Sequence, residues 1–381
     1  MSDNTLHIQA GALRQVLAIA ASATEHRNTI PILTHLLISA EGGMLTAIGT
    51  DLDERVTAHA PCRGVLAPIT VNARRITAIL DALPADVEVA LWPMPPQGDA
   101  CILTTATMTA RLETLPAEDF PKPRNIKAQA QWQITAGTFR HLFGRVEHAM
   151  SQEETRYYLN GAFLHVRDDV ELPALRSCAT DGHRLIHASA PLPEGDTPLP
   201  MIVARTAIRQ LLKLLADTPA DATLIIKQGE LSLRVEHPGW THDSKAIDGD
   251  FPDYARVIPK DDARGLLRVH DPAAFAALIQ QARAIGREPS QPVTFRASAD
   301  HPFTISARQA EAGEVAVTVP PDVAELVAGW DIEVAFQARY LADLCRAVPE
   351  GFTMHVIDSQ APCRAAGPAA LAVLMPMKLA D

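Results

Sequence analysis

The chain has 381 residues, of which 47% are hydrophobic and 21% charged, with a net charge of -11 and a mean hydropathy of +0.02. It is too long for one compact core, too apolar for a disordered chain, and too acidic to coat nucleic acid with its whole surface, though a local basic stripe is allowed. No stretch approaches a membrane span, the start MSDNTLHIQAG reads as no leader, and the five cysteines lack zinc spacing, so the expectation is a cytoplasmic protein with reduced thiols, no metal and no cofactor.

In chain order, LHIQAGALRQVLAIA from Leu6 reads as a short strand running into a helix. The same pattern returns as WQITAGTFRHLFGRV from Trp132 and LLRVHDPAAFAALIQQA from Leu266. Each is followed by a second strand and helix: PITVNARRITAILDAL, MIVARTAIRQLLKLLAD and VAFQARYLADLCRAV. Ala73-Arg74 and Ala204-Arg205 are separated by the same 131 residues as Phe120 and Phe251 of two Asp-Phe-Pro markers. Independent markers at one offset signal an internal repeat. The polar stretches PKPRNIKAQA and PKDDARG then give three domains, residues 1–127, 128–260 and 261–381. Between the helices, HLLISA, MLTAIGT, AFLHV, LIIKQ, LSLRVE and PFTISA read as short strands bounded by turn residues. The fold class is α+β, each repeat holding two helices and several mostly antiparallel strands.

All six helices carry an apolar stripe at i, i+3, i+4 and i+7, such as Leu13, Val16, Leu17 and Ala20 in the first. Away from the stripe their charges are mainly basic: Arg14, Arg74, Arg75, Arg140, Arg145, Arg205, Arg209, Lys213, Arg283, Arg287, Arg339 and Arg346. Twelve bases against five acids leave the helices at +7 and the rest of the chain at -18. One such helix is an ordinary solvated face; six in three repeats predict a basic track that contacts phosphates without reading sequence. Six helices about 10 Å apart close a circle with a hole of only about 9 Å, whereas twelve leave a hole approaching about 30 Å, enough for duplex DNA. Two copies joined head to tail would supply twelve.

Thr180 to Leu185, TDGHRL, holds an Asp and a His two residues apart. Asp181 and His183 fit an acid–base pair, and so an alternative reading is a cytosolic hydrolase. An Asp-Gly turn is the more common meaning, and the chain has no GxSxG, HExxH or Walker pattern to supply a nucleophile, metal or phosphate cradle.

The motifs RNTIPIL from Arg27, GTDLD from Gly49, LPAEDFP from Leu115, ETRYYLNG from Glu154, ATDGHRL from Ala179, GDFPDYARVIP from Gly249 and LMPMKL from Leu374 span the chain. Together they resemble the bacterial DNA polymerase III beta sliding clamp family. The resemblance implies a DNA-clamp fold of three similar domains and a head-to-tail homodimeric ring. The ring encircles double-stranded DNA without sequence preference, tethers the replicative polymerase, and is not an enzyme. A clamp serving a repair polymerase is the alternative within that fold. Short clamp-binding peptides of the polymerase, the clamp loader and repair polymerases are expected in a pocket between domains two and three. By motif its wall is Leu159, Thr180, Gly182, His183, Arg184, Leu185, Pro252, Arg256, Val257, Tyr340, Val373, Met375, Pro376 and Met377. An adaptable apolar groove with a few cations suits such a ligand. Tyr157, Tyr158 and Arg27 join the helix cations as expected DNA contacts, with Glu153 an acid just ahead of them. Arg111 and Leu112 are expected to meet Ile285 of the partner subunit at the ring joint.

Overall fold

The structure is a computed structural model and describes residues 4–25, 29–94, 99–167, 173–260, 265–286, 288, 291–298, 301–309, 312–327 and 332–378. In the first segment β1 (Leu6–Gln9) runs into α1 (Ala10–Ala21), then β2 (His35–Glu41), β3 (Met44–Thr50), β4 (Glu54–Pro61) and β5 (Leu66–Asn72), then α2 (Ala73–Asp81) and β6 (Glu88–Pro93), β7 (Ala100–Thr104) and β8 (Thr109–Glu113). The second segment repeats the order with β9 (Ala130–Thr135), α3 (Ala136–Val146), β10 (Gly161–Arg167), β11 (Ala174–Thr180), β12 (Arg184–Pro191), β13 (Met201–Ala204), α4 (Arg205–Leu214), β14 (Thr223–Gly229), β15 (Ser232–His237) and β16 (Trp240–Ile247). The third has β17 (Gly265–Val269), α5 (Pro272–Ala282), β18 (Pro292–Ser298), β19 (His301–Gln309), β20 (Gly313–Thr318), β21 (Ile332–Gln337), α6 (Ala338–Ala347), β22 (Phe352–Val356), β23 (Cys363–Ala366) and β24 (Ala370–Leu374).

The chain groups into two compact units, one of Met1–Ala136, Glu194–Asp196 and Arg209–Ala246, the other of Gly137–Pro193, Thr197–Ile208 and Ile247–Asp381. The grouping follows the sheets rather than the repeat. In unit 1, β1, β6, β7 and β8 form one antiparallel sheet. A second sheet runs β5-β2-β3-β4-β16-β15-β14-β9. In unit 2, one sheet runs β13-β10-β11-β12-β24-β23-β22-β17 and the other β21-β18-β19-β20. The middle segment thus gives one sheet to each unit, because strands from neighbouring segments pair edge to edge. β4 meets β16 from Glu54↔Ser244 to Ala58↔Trp240, and β12 meets β24 from Arg184↔Leu374 to Ala188↔Ala370. Each such joint satisfies a row of backbone donors and acceptors that an open edge would leave to solvent.

The helix stripes are buried as the periodicity requires. Leu13, Val16, Leu17 and Ala20 of α1 are buried, and α1 packs on β3 and β4. Phe139, Leu142, Phe143 and Val146 of α3 are likewise buried. Each large apolar side chain so covered is worth roughly 1.5–3 kcal/mol. Asn72 caps α2 by accepting from Arg75 N at 3.1 Å, and Asp271 caps α5 by accepting from Ala274 N at 2.9 Å with Pro272 in the first turn. Among the described residues no helix is long and apolar enough to cross a membrane.

Candidate peptide groove and cation-bearing helices

The turn between β11 and β12 is built by its own side chains. Asp181 Oδ1 accepts from His183 N and Arg184 N, both at 3.0 Å, and Thr180 Oγ1 donates to Arg184 O at 2.7 Å. Gly182 sits at φ +89°, a left-handed conformation that favours glycine, and a Cβ there would lie 2.8 Å from the Arg156 guanidinium. With both its oxygens committed to the turn and to Arg184 Nε at 3.1 Å, Asp181 makes no hydrogen bond to the His183 ring. The acid–base pairing of Asp181 and His183 is therefore absent. Nor do the described residues hold a group of three His, Cys, Asp or Glu side chains fit for a metal.

Below this turn unit 2 has an apolar groove of about 500 Å³. It brings together Leu159, Thr180, Gly182, His183, Arg184, Leu185, Pro252, Arg256, Val257, Val373 and Met375 from the expected wall. Leu185 and Val373 face each other across the β12–β24 joint, and with Cys178 and Tyr254 they form a buried floor that Phe163, Phe251 and Ile258 extend. Burial pushes the Cys178 thiol well above its ordinary range, so the floor behaves as hydrocarbon. Val257 and Met375 stand exposed at the rim, and Arg256 reaches into solvent with Asp253 at 2.9 Å.

Three expected wall residues lie elsewhere. Met377 N donates to Ala335 O at 2.7 Å, which ties the strand end to β21 and carries Pro376 and Met377 off the lining. Tyr340 lies beneath the Arg184 guanidinium, 4.3 Å from it, and not on the lining. The expectation that Arg184 faces a ligand is also corrected at its charged end. That end is buried, donating to Asp343 Oδ2 at 2.5 Å, Asp181 Oδ2 and the His148 carbonyl. The exposed cation of the groove is Arg256.

Residues that the motif reading left off the wall are Asp253, Tyr254, Ile258, Pro259 and Pro362. All but Pro362 lie inside GDFPDYARVIP, so the motif itself was the signal. Tyr254 is held from below: its hydroxyl accepts from Arg176 Nη1 at 3.4 Å and lies 3.1 Å from His165 Nε2. His187 beside it is pushed down to about 3, chiefly by burial and then by Arg176, Arg167 and His165.

The helix cations divide into free and committed ones. In unit 1, Arg74, Arg75 and Lys213 share an open trough of about 1090 Å³ along α1 and α2, together with Glu25 and Asp81, and Arg75 also lies 3.5 Å from the Glu113 carboxylate. Arg209 is also exposed. Arg14, by contrast, donates to the carbonyls of Leu80 and Leu83 at the end of α2. Arg145 does the same to Ala347 at the end of α6 and pairs with Glu350. Both satisfy orphan helix carbonyls, a job the charge pattern could not distinguish from DNA contact. In unit 2, Arg205 donates to the Ser151 carbonyl, Arg283 to Glu288 O at 3.0 Å, Arg140 is half-buried, and exposed Arg339 lies 3.8 Å from Asp343. Tyr157 is exposed and stacks edge-on against Tyr158 at 5.8 Å, and Glu153 pairs with Arg156 rather than standing alone. Arg27 and Arg287 lie outside the described residues.

Two sheet edges bear on the expected ring joint. β8 ends one sheet of unit 1 and β20 ends one sheet of unit 2. Arg111 is exposed on β8, but Leu112 turns into the core, because neighbours on a strand point to opposite faces. Leu112 therefore offers the edge its backbone rather than its side chain. Ile285 is half-buried beside the start of β20.

Comparison with known proteins places these features in a common setting. Residues 5–125 match the N-terminal domain, and residues 133–253 the central domain, of the DNA polymerase III beta subunit. The chain is 34% identical to the beta sliding clamp of Caulobacter vibrioides over 89% of each chain. It is 30% identical to that of Escherichia coli over 93% of this chain and 94% of the relative. Its fold is similar to the crystal structure of the Caulobacter crescentus sliding clamp, with a TM-score of 0.88, 32% identity and coverage of 99% and 100%. The Bartonella birtlesii sliding clamp bound to griselimycin gives 0.89 at 28% identity, with coverage of 99% and 100%.

Proposed function

The chain belongs to the DNA polymerase III beta subunit family, the bacterial beta sliding clamps, and its function is that of a DNA sliding clamp for the polymerase. From that premise we propose that the unit 2 groove receives the short clamp-binding peptides of polymerases and of the clamp loader, and that the protein works in the cytoplasm without catalysing a reaction. The carrying observation is the apolar groove itself, where a buried floor of Leu185 and Val373 is rimmed by exposed Val257 and Met375. Apolar anchors of an extended peptide can fill it, and Arg256 at the rim can orient their flanking carbonyls or acids.

The same reading takes residues 1–127, 128–260 and 261–381 as three domains joined edge to edge. Arg74, Arg75, Arg209 and Lys213 are then the leading DNA contacts, with Arg140, Arg205, Arg283, Arg339, Tyr157 and Tyr158 behind them. The experiment is a fluorescence-polarisation titration with a labelled Gln-Leu-Xaa-Leu-Phe peptide. Met375→Asp and Val257→Asp should each weaken binding by about tenfold or more, because a carboxylate replaces apolar contact at the rim. Unchanged affinity in both variants rejects the groove as the peptide site.

A further inference from the structure

The turn that borders the unit 2 groove has a twin in unit 1. Thr50 Oγ1 donates to Glu54 O at 2.6 Å, as Thr180 Oγ1 does to Arg184 O at 2.7 Å. Leu52 N and Gly182 N each donate to the threonine hydroxyl at 3.1 Å. Asp51 Oδ1 accepts from Asp53 N and Glu54 N at 2.9 and 2.7 Å, the bonds Asp181 makes at 3.0 Å. Across the adjoining strand joint, Ser244 and Asp243 face Glu54 and Arg55, the places that Leu374 and Val373 take opposite Arg184 and Leu185. Pro121 closes the first Asp-Phe-Pro marker and Ile126 follows it at the spacing at which Val257 follows Pro252 of the second.

This twin borders a cavity of about 140 Å³, room for about four waters, and its chemistry differs from that of the unit 2 groove. Leu52 is the one non-glycine residue with positive φ among the described residues, at +80°. A left-handed leucine costs roughly 1–2 kcal/mol, and its exposed side chain returns little by burial. Ser244 is buried, lines the cavity, and its hydroxyl has no hydrogen-bond partner. Every carboxylate on the lining already has a basic neighbour: Asp53 has Lys245, Asp243 has Arg234, and Glu54 has His242 at 3.0 Å. Arg55 donates to the Pro121 carbonyl and Arg124 to the Leu52 carbonyl. Lys122 and Arg124, both exposed on the lining, have no carboxylate partner among the described residues.

We propose that this cavity takes one acidic side chain of an extended partner peptide. Lys122, Arg124 and the Ser244 hydroxyl hold the carboxylate, and a flanking apolar side chain lies on Leu52 and Ile126. The two cations that lack a carboxylate partner and the unpartnered hydroxyl select the carboxylate, and the small volume limits the insertion to a single side chain. The inference borrows the geometry of the proposed peptide groove but not its occupant.

The test uses the full-length protein with its isoleucine methyl groups labelled, following the Ile126 methyl resonance while acetyl-Leu-Asp-Leu-amide is added up to about 10 mM, a range that captures weak binding. The expected result is a saturable shift, weakened by about tenfold or more with the Leu-Asn-Leu peptide, in Lys122→Glu, which is exposed and holds no structural contact among the described residues, and in Lys122→Glu/Arg124→Glu, whose unfolding midpoint is measured alongside because Arg124 also donates to the Leu52 carbonyl. Ser244→Ala should weaken it by a smaller factor. No saturable shift, equal response to the Asn peptide, or the same shift with sodium acetate alone overturns the proposal. The Gln-Leu-Xaa-Leu-Phe titration run in parallel on the same variants separates this site from the groove, since the double variant should leave that peptide's affinity unchanged.

Discussion

At the level of single residues, the decisive group in unit 2 is Arg184, whose guanidinium is buried against the equally buried Asp343 carboxylate and stacked on Tyr340. A buried ion pair adds little against an apolar pair of the same shape, but removing one partner strands a charge, at about 3–5 kcal/mol. Arg184→Met should therefore destabilise the protein by about that much, and Arg184→Met/Asp343→Leu should recover a large part in urea unfolding; equal loss in both variants contradicts the pairing. The turn role of Asp181 was legible, because Asp-Gly carries its own hydrogen-bonding logic. The Arg184 partner was not: Asp343 lies 159 residues away and reads in sequence as an acid on a helix surface. His187 adds a pH dependence. Its pKa falls from 6.5 to about 3 through burial. Below about pH 6.5 the unfolded chain therefore takes up a proton that the folded chain refuses until near pH 3, and stability falls with falling pH. The slope from this group is about 1.4 kcal/mol per pH unit, so His187→Leu should flatten the stability profile between about pH 6.5 and pH 5.

Among the elements, the six helices and their buried faces were readable because a stripe at 3.6-residue spacing has one meaning once a sheet must be covered. Their polar faces were not, since a guanidinium that caps a neighbouring helix and one that awaits a phosphate have the same sequence appearance. Arg14 and Arg145 are of the first kind, whereas Arg209 and Lys213 are exposed, as the proposed phosphate contact requires. This separation makes two outcomes distinct. Arg209→Glu/Lys213→Glu should shorten retention on circular DNA while leaving the unfolding midpoint within about 0.5 kcal/mol, as expected of exposed positions. Arg14→Ala should cost about 1 kcal/mol by freeing the carbonyls at the end of α2, with little change in retention at temperatures where the fold is intact. Reversal of the two phenotypes would show that the assignment of free and committed cations is wrong.

For the whole molecule, the two joints within the chain follow one rule that closes the proposed ring. β4 pairs with β16 and β12 with β24, in each case the last strand of a segment's β2-type sheet meeting the last strand of the next segment's β1-type sheet. Applied once more, the rule selects β20 in the third segment and β8 in the first, each the end of its sheet with no partner strand on its outer side among the described residues. They lie on different repeats, so the contact is heterologous; a second copy with the same pair of ends closes a cycle of six segments. The repeat was visible in sequence through its markers, but the edge rule was not, because backbone pairing between segments leaves no periodic trace. A homodimer should therefore sediment at twice the 41.1 kDa of one chain. Ile285, beside β20, is half-buried in the single chain and becomes covered at such a joint. Ile285→Asp places a carboxylate in that contact and should weaken dimerisation by about 3 kcal/mol, roughly a hundredfold, while each protomer stays folded. Leu112→Asp should act differently and unfold unit 1 locally, because that side chain is already inside the core. If sedimentation shows Ile285→Asp still fully dimeric at concentrations where wild type is half dissociated, the β8–β20 joint is not the one the protein uses.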